Sequence, residues 1–295
     1  MKRLVLIDGS SYMYRAFYAL PPLTSPKGEP TGAIYGFIRM LSSLIKEVNP
    51  DYIAVVFDLS KKTFRHKKVK SYKATRQETP DLLKEQIPKI KEILKLWGIK
   101  VLELEGYEAD DIIATLTKKF KNSYEVLIVS PDKDMIQLVD KNVKLLNPIQ
   151  NIIYDVEKVK EKYGIFPNQF VDYQSIVGDS VDNIKGVKGV GKKTAVSLLN
   201  QYGSLDEIIK NLDSLKPKIK EAFEKSIDAL KEAKFLVKLK DDIDLNIPIE
   251  ELEIKNTNWE GLKKVFEELG FKSFLKKLKE MKLNIEDRSL QKSLF

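Results

Sequence analysis

The sequence predicts an α/β protein with a mostly parallel sheet flanked by helices, and two observations support this fold class. Short apolar runs of strand length alternate with longer segments of helical period. Strands that alternate with helices form parallel sheets whose two faces are covered. Three apolar runs lead into an aspartate, namely Asp8, Asp58 and Asp132, as expected where parallel strands end at one ligand-binding edge. An aspartate after a strand is also a common helix cap, so each residue alone says little.

The elements follow one another closely in the first half of the chain. A loop rich in Pro and Gly interrupts them at 21–30. The apolar patterns predict strands at 4–7, 52–57, 99–104 and 125–129, and helices at about 10–19, 33–47, 82–97 and 109–120. From about 205 to 280 the chain is predicted to be helical. We therefore divide it into an α/β domain (1–165), a helical domain (166–280) and a flexible tail (284–295).

The composition excludes several functional classes. No apolar run among the 295 residues approaches membrane-spanning length, so no membrane partner is expected. Cysteine is absent, which excludes disulfides and thiolate metal sites and fits a cytoplasmic protein. The single histidine, His66, leaves little room for a histidine-ligated zinc or a histidine triad, and we assign it no role.

Three carboxylates crowd together at the start of the predicted helix 109–120. They are Glu108, Asp110 and Asp111. One or two acids would be explained by the positive end of a helix dipole. Three acids repel one another, and a nearby cation would relieve that repulsion. Further acids are paired in the same way along the chain, as Asp132 with Asp134 and Asp179 with Asp182.

Two other segments carry positive charge. Residues 59–77 hold eight Lys or Arg, no acid, and the interleaved rings of Phe64 and Tyr72. Such a segment is either a solvated basic loop or an arm that binds a nucleic-acid strand, in which cations contact phosphates and rings stack on bases. The net charge of +8 and the pI near 9.1 favour a polyanionic partner.

The second basic segment is a glycine-rich hairpin between two predicted helices. Gly189 and Gly191 allow close backbone approach to a ligand, and the following helix offers free N–H groups. The glycine spacing does not match a Walker loop. With Lys188, Lys192 and Lys193 attached, the hairpin is interpreted as a phosphate-binding element.

Together these motifs resemble the bacterial 5′-nucleases of the flap endonuclease type, which occur as stand-alone exonucleases and as the N-terminal domain of DNA polymerase I. The resemblance runs from about residue 3 to 275. Pro131, Lys185 and Thr75 depart from the usual pattern. The resemblance rests on Val5-Leu6-Ile7-Asp8-Gly9, Val56-Phe57-Asp58, Tyr72-Lys73-Ala74-x-Arg76, Gly106-Tyr107-Glu108-Ala109-Asp110-Asp111, Asp132-Lys133-Asp134, Gly178-Asp179-x-x-Asp182-Asn183 and Gly189-Val190-Gly191-x-Lys193-Thr194-Ala195.

The resemblance implies a PIN-like fold with a helical arch at about 59–90 and a helix-hairpin-helix region at about 183–200. It implies cleavage of DNA phosphodiesters near junctions of single and double strands, with two Mg²⁺ or Mn²⁺ ions per site. One ion would lie among Asp8, Asp58, Glu108, Asp110 and Asp111, and the second among Asp132, Asp134, Asp179 and Asp182. The residues expected to carry catalysis are Lys73, Arg76, Asp8, Asp58 and Asp134. The expected DNA contacts are Tyr14, Arg15, Arg65, Tyr72, Lys188, Gly189, Gly191, Lys192, Lys193 and Thr194.

The resemblance also suggests partners. The substrate would be DNA with a 5′ flap or 5′ end at a duplex junction, or an RNA primer, and the hairpin would hold a monovalent cation such as K⁺. We expect a monomer associated with the nucleoid. The tail carries Gln291, Leu294 and Phe295, which resemble the peptide that binds the bacterial sliding clamp.

Two rival functions are considered. A phosphatase on a similar sheet would use Asp8 as nucleophile but usually needs a second acid two residues on, where this chain has Ser10. A catalytically silent DNA-binding protein would be expected to have lost an acid or Lys73, and all of these are present.

Overall fold

The structure is a computed structural model, and it describes residues 1–278. Its six-stranded sheet has the order β3-β2-β1-β4-β5-β6. β1 pairs in parallel with β4, and β4 in parallel with β5, whereas β6 runs antiparallel to β5. The strands are β1 Arg3–Asp8, β2 Tyr52–Val56, β3 Lys100–Leu102, β4 Glu125–Val129, β5 Val143–Asn147 and β6 Ile152–Tyr154. The mostly parallel sheet predicted from the sequence is confirmed.

The helices agree with most of the predicted positions. They are α1 Gly9–Ala19, α2 Gly32–Val48, α3 Phe64–Lys68, α4 Asp81–Lys84, α5 Ile87–Leu96, α6 Ala109–Phe120, α7 Val156–Tyr163, α8 Phe170–Val177, α9 Lys192–Tyr202, α10 Leu205–Lys210, α11 Pro217–Glu224, α12 Ile227–Val237 and α13 Trp259–Glu268. Residues 272–278 are also helical. Within the described part of the chain, no helix combines the length and apolarity needed to cross a membrane.

The single helix predicted at 82–97 is wrong, because it is divided into α4 and α5. The side chain of Gln86, only 2% exposed, lies at the break. Its Oε1 accepts hydrogen bonds from the backbone N–H groups of Ala33 and Ile34, at 2.8 and 3.2 Å. These are among the first N–H groups of α2, which have no partner inside their own helix. The break thus satisfies the start of another helix, a role that the local periodicity does not reveal.

The chain clusters into two compact units that are not contiguous in sequence. The first consists of Met1–Asp8, Val56–Glu78 and Glu103–Asn246. The second consists of Gly9–Val55, Thr79–Leu102 and the described residues from Ile247 onward. The predicted division at residue 165 stays a prediction, and the predicted tail 284–295 lies outside the described residues.

The first unit has an apolar interior built on β1 and β4. Leu4, Val5, Leu6 and Ile7 are all fully buried, as expected for a strand covered on both faces. The register sets Ile7 beside Val129, so β1 and β4 end next to each other at the carboxyl edge of the sheet. In the second unit, the fully buried Phe37 packs edge-on against Tyr12, with ring centroids 5.6 Å apart.

Candidate active site

Ser130 joins the acids that follow β1 and β4. Asp8 is only 3% exposed, and the Ser130 hydroxyl donates to its Oδ2 at 2.8 Å. The same oxygen of Ser130 accepts a hydrogen bond from the backbone N–H of Asp132 at 3.0 Å. The parallel register therefore brings two of the predicted strand-end aspartates to one place.

The start of α6 brings further acids to this unit. Glu108 is the N-cap residue, and Asp58 Oδ1 accepts a hydrogen bond from the Ala109 N–H at 2.8 Å. Asp110, in the first turn, is half-buried. Removal from water and repulsion by Asp132 and Asp8 raise the pKa of Asp110 well above its usual value. The strand-end acids and the helix-start acids therefore share one electrostatic environment.

Lys73 lies between the two predicted groups of acids. Its Nζ is 2.9 Å from Glu108 Oε1 and 3.9 Å from Asp182 Oδ2. Burial disfavours its charge, but Glu108, Asp110 and Asp182 outweigh that effect and raise the pKa of Lys73 well above its usual value. Its backbone has a φ of 52°, in the left-handed region that a non-glycine residue seldom adopts. Such strain is maintained only where the surrounding structure enforces it, and it is frequent at functional sites.

The loop 178–186 carries the last pair of predicted acids, and close backbone packing holds it. A Cβ on Gly178 would lie 2.5 Å from the backbone nitrogen of Gly186. Asp179 and Ile184 exchange backbone hydrogen bonds of 2.9 and 2.7 Å across the loop. Arg76 Nη2 donates to Asp182 Oδ1 at 2.7 Å, which links the basic segment to this loop.

Asp134 and Asp179 differ in the charge that surrounds them. Burial, and then repulsion by Asp132, raise the pKa of Asp134 from 3.8 to about 8. Asp179 is also buried, yet hydrogen bonding and charge from Lys133, with Nζ 2.6 Å from Oδ2, lower its pKa below the usual value. Gln174 donates to both carboxylates.

Asp132 connects the two predicted metal groups, because it raises the pKa of both Asp110 and Asp134. Its own pKa is raised by burial and by Asp182. Over residues 1–278, no three acidic side chains already converge closely enough to hold a metal ion by themselves. The site is thus a set of crowded carboxylates without a closed cage of protein ligands.

Asp111 does not fit its predicted role as a metal ligand. It is fully buried, and the Arg65 guanidinium donates to both of its oxygens at 2.7 Å. The backbone N–H groups of Lys240 and Glu108 donate to the same carboxylate at 2.9 and 3.1 Å. Four donors occupy the four lone-pair positions of the carboxylate, so no oxygen remains for a metal.

Two predicted DNA contacts are likewise wrong, because the structure buries them. Arg65 has no exposed surface, and it also donates to the carbonyl oxygens of Leu236 and Lys238, each at 2.9 Å. Tyr72 is 4% exposed and donates its hydroxyl hydrogen to Glu108 at 3.1 Å. The composition of the segment 59–77 suggested exposure, but part of this segment packs into an apolar cluster with Ile184 and residues of α12.

The predicted hairpin residues lie at an open surface. Lys188, Lys192 and Lys193 are exposed, and none has an ion pair within the described part of the chain. A Cβ built on Gly189 or on Gly191 would meet no atom within 4 Å, so the surface here is open. Thr194 lies in the first turn of α9, where the N–H groups have no partner inside the helix.

The second unit contains Tyr14 and Arg15, both half-buried on α1. The Tyr14 hydroxyl lies 2.5 Å from Thr79 Oγ1. Their predicted contacts with DNA stay predictions.

The contacts that Ser130 and Gln174 make with the acids were not predicted from the sequence. Only the position of Ser130 directly after a strand could have indicated the first, and no local signal indicates the second.

Acidic side chains gather at the carboxyl edge of a parallel sheet, where Lys73 and Arg76 pair with two of them, and this arrangement is typical of nucleases. Comparison with known proteins then specifies the family. A family model described as "5'-3' exonuclease, N-terminal resolvase-like domain" matches residues 3–164, and one described as "5'-3' exonuclease, C-terminal SAM fold" matches residues 165–260. The chain belongs to this 5′-3′ exonuclease family.

Its relatives include stand-alone and fused proteins. The chain is 47% identical over 291 residues to the "5'-3' exonuclease" of Aquifex aeolicus, covering 98% of this chain and 100% of that protein. It is 41% identical over 297 residues to the "DNA polymerase I" of Bacillus subtilis, covering 98% of this chain but only 34% of the polymerase. The chain thus spans about a third of the polymerases that it matches.

Solved structures confirm the fold class. The T5 D15 protein co-crystallised with metal ions aligns with a TM-score of 0.71 at 22% identity, covering 90% of this chain and 99% of that one. The catalytic core of Rad2 in complex with DNA aligns with a TM-score of 0.61 at 15% identity, covering 94% of this chain and 91% of that one. The predicted PIN-like fold is confirmed by these likenesses.

Proposed function

We propose that this protein is a structure-specific 5′ nuclease that hydrolyses DNA phosphodiesters near junctions of single and double strands, in primer removal and repair. It would act both as a 5′-3′ exonuclease and as a flap endonuclease. The observation that carries the proposal is the group of crowded acids around Lys73, in which Asp110, Asp132 and Asp134 have raised pKa values. Carboxylates with shifted pKa values that gather around a lysine with a strained backbone are typical of a catalytic site.

The donor set fits two hard divalent cations. It consists of carboxylate oxygens, and the chain has no cysteine. Asp8, Asp58, Glu108 and Asp110 would hold one ion, and Asp134, Asp179 and Asp182 the other, with Asp132 between them. Bound Mg²⁺ or Mn²⁺ would lower the pKa of a water and offset the charge of the reacting phosphate. The raised pKa values favour this proposal, because cations would relieve the repulsion that causes them.

Lys73 and Arg76 would contact the scissile phosphate. The raised pKa of Lys73 keeps its amine charged, so it would act as a fixed positive charge and not as a proton donor. Arg76, whose side chain is 47% exposed, is accessible to an incoming strand. Glu108 pairs with Lys73, and Asp182 pairs with Arg76. These ion pairs orient the two side chains before DNA enters.

The hairpin would hold the backbone of the duplex part of the substrate. Its exposed lysines and the free N–H groups at the start of α9 suit phosphate oxygens. We also propose a monovalent cation such as K⁺ at this hairpin. Tyr14 would stack on a base, and Arg15 would contact a neighbouring phosphate.

Several wider assignments rest on the family resemblance. They are action on RNA primers, a monomeric state and a cytoplasmic location at the nucleoid. The proposed clamp-binding residues Gln291, Leu294 and Phe295 lie outside the described residues. Deleting residues 291–295 should weaken binding to the sliding clamp, and unchanged clamp affinity would contradict that assignment.

The test of the function uses a duplex with a 5′-labelled flap, assayed with and without Mg²⁺. Wild type should cleave near the junction only with metal, and Asp134→Ala should abolish cleavage while flap binding persists. Asp213→Ala, a substitution of an acid whose side chain is 93% exposed, is the control and should cleave normally. Binding without cleavage by wild type in Mg²⁺ and in Mn²⁺ would instead indicate a silent DNA-binding protein.

The role of Lys73 has a separate test. Lys73→Ala should slow cleavage far more than it weakens binding, because the charge acts on the reacting phosphate. Lys70→Ala removes an exposed lysine from the same basic segment and should change the cleavage rate little. Equal loss of cleavage and binding in Lys73→Ala would reduce its role to simple phosphate contact.

A further inference from the structure

Gln174 joins two acids of the proposed active site that are distant in sequence. Its side chain is 2% exposed and extends from α8. Its Nε2 donates to Asp134 Oδ1 at 2.7 Å and to Asp179 Oδ2 at 3.1 Å. One amide group therefore connects carboxylates from two separate segments of the first unit.

The oxygen of the same amide has no hydrogen-bond partner within residues 1–278. Gln174 Oε1 is buried and accepts no hydrogen bond from any described residue. Turning the amide over would place Oε1 against the acceptor oxygens of Asp179, so the observed orientation, with Nε2 toward the carboxylates, is the favourable one. An unsatisfied buried acceptor destabilises a protein, and a bound water is the usual way to satisfy it.

The choice of an amide matters because of charge. Asp179 already has a cationic partner in Lys133, at 2.6 Å. A second cation at position 174 would hold the two carboxylates together but would also compete with a metal ion for them. A glutamine offsets their repulsion with a donor while it leaves the negative charge of the site unchanged.

We propose that Gln174 is a positioning residue that holds Asp134 and Asp179 ready for a divalent ion and that its Oε1 accepts a hydrogen bond from a water bound at this site. The proposal rests on the proposed function, since it takes both carboxylates as metal ligands. It extends that function, because Gln174 sets how tightly the ion is held and does not itself contact the substrate.

The first test measures binding of Mn²⁺ alone, without DNA, from the electron paramagnetic resonance signal of the free ion. Gln174→Met keeps the length of the side chain but removes the amide. It should weaken Mn²⁺ binding about 10- to 100-fold, as loss of a group that orients metal ligands typically does. An affinity within about twofold of wild type would overturn the proposal.

Gln169→Met is the matched control. Gln169 is also buried, and its Nε2 donates at 2.9 Å to the carbonyl oxygens of Leu199 and Gly203, away from the acids. This substitution should lower the melting temperature and leave Mn²⁺ affinity unchanged. If it weakens Mn²⁺ binding as much as Gln174→Met does, the amide of Gln174 has no specific role.

A second variant keeps the proposal testable even if the first folds poorly. Gln174→Glu replaces the donor with a further acceptor next to two carboxylates. Its melting temperature should fall in EDTA, and added Mn²⁺ should raise that temperature more than in wild type. An Mn²⁺-induced rise equal to that of wild type would count against the proposal. Absence of Mn²⁺ binding by wild type itself would instead refute the metal-dependent function.

Discussion

The pair of Arg65 and Asp111 offers the most specific prediction about stability. Both side chains are fully buried, and two hydrogen bonds of 2.7 Å join them. Arg65→Met would leave Asp111 charged in the interior, with only backbone donors. Removing one partner of a buried ion pair typically costs about 3–5 kcal/mol. At about 2–4 °C per kcal/mol for a domain of this size, the melting temperature should fall by roughly 6–20 °C.

The assay is thermal unfolding followed by circular dichroism, in EDTA so that bound metal does not contribute. Arg3→Met provides a matched control, because Arg3 pairs with Glu125 at 2.8 Å but the two side chains are 37% and 29% exposed. Partly exposed pairs contribute about 1 kcal/mol or less. The control should therefore unfold within a few degrees of wild type.

A double variant separates the loss of the pair from a general defect of packing. Replacing both partners, as Arg65→Met with Asp111→Leu, removes the unpaired charge and should recover part of the lost stability. If Arg65→Met and Arg3→Met lower the melting temperature equally, burial of the pair has no energetic consequence and the reasoning fails. Additive losses in the double variant would contradict the proposed coupling.

Three further predictions follow from the site. Because the pKa of Asp134 is raised from 3.8 to about 8, the folded protein keeps a proton that the unfolded chain loses, so stability in EDTA should fall as pH rises between those values. Urea unfolding from about pH 5.5 to 8 should show this slope reduced in Asp134→Asn, by up to about 1.4 kcal/mol per pH unit, and an unchanged slope would contradict the assignment. Gly178→Ala should lower the free energy of unfolding by roughly 3 kcal/mol, because φ is +79° and the new Cβ would lie 2.5 Å from a backbone atom. Gly189→Ala should lower it by only about 1 kcal/mol, because φ is +84° but the space around the new Cβ is open. Equal costs in urea unfolding would show that the close approach is relieved by movement. Lys192→Ala combined with Lys193→Ala should lower the salt dependence of duplex binding by about one unit of slope per lost contact, and an unchanged slope in binding titrations would argue against the hairpin as the duplex contact.

Most of the sheet could be predicted because its strands are strongly apolar. β1, β2 and β4 consist mainly of apolar residues and lie where they were predicted. β5 and β6 were not predicted, since Lys144 and Asn147 interrupt the apolar pattern of β5 and β6 has only three residues. The division between α4 and α5 was also missed, because it depends on what Gln86 contacts elsewhere in the fold.

The candidate site could be predicted as a set of residue types but not as a set of partners. Crowding of acids at 108–111 correctly indicated a need for positive charge. Part of that charge is supplied by Arg65, which composition alone had placed on a basic, DNA-facing segment. Exposure of a charged residue in a basic segment cannot be deduced from its neighbours in sequence, because burial depends on which distant groups can neutralise it.

The sequence by itself determined the alternation of strands and helices, the acids at the strand ends and the glycine hairpin, because these features depend on residues close together in the chain. Only the tertiary structure decided that Asp111 is satisfied by Arg65, 46 positions away, and that Gln174 bridges Asp134 and Asp179. The physical reason is that a carboxylate binds whatever donor or cation packing brings to it. Local patterns set which groups are available, and the packed fold selects which of them meet.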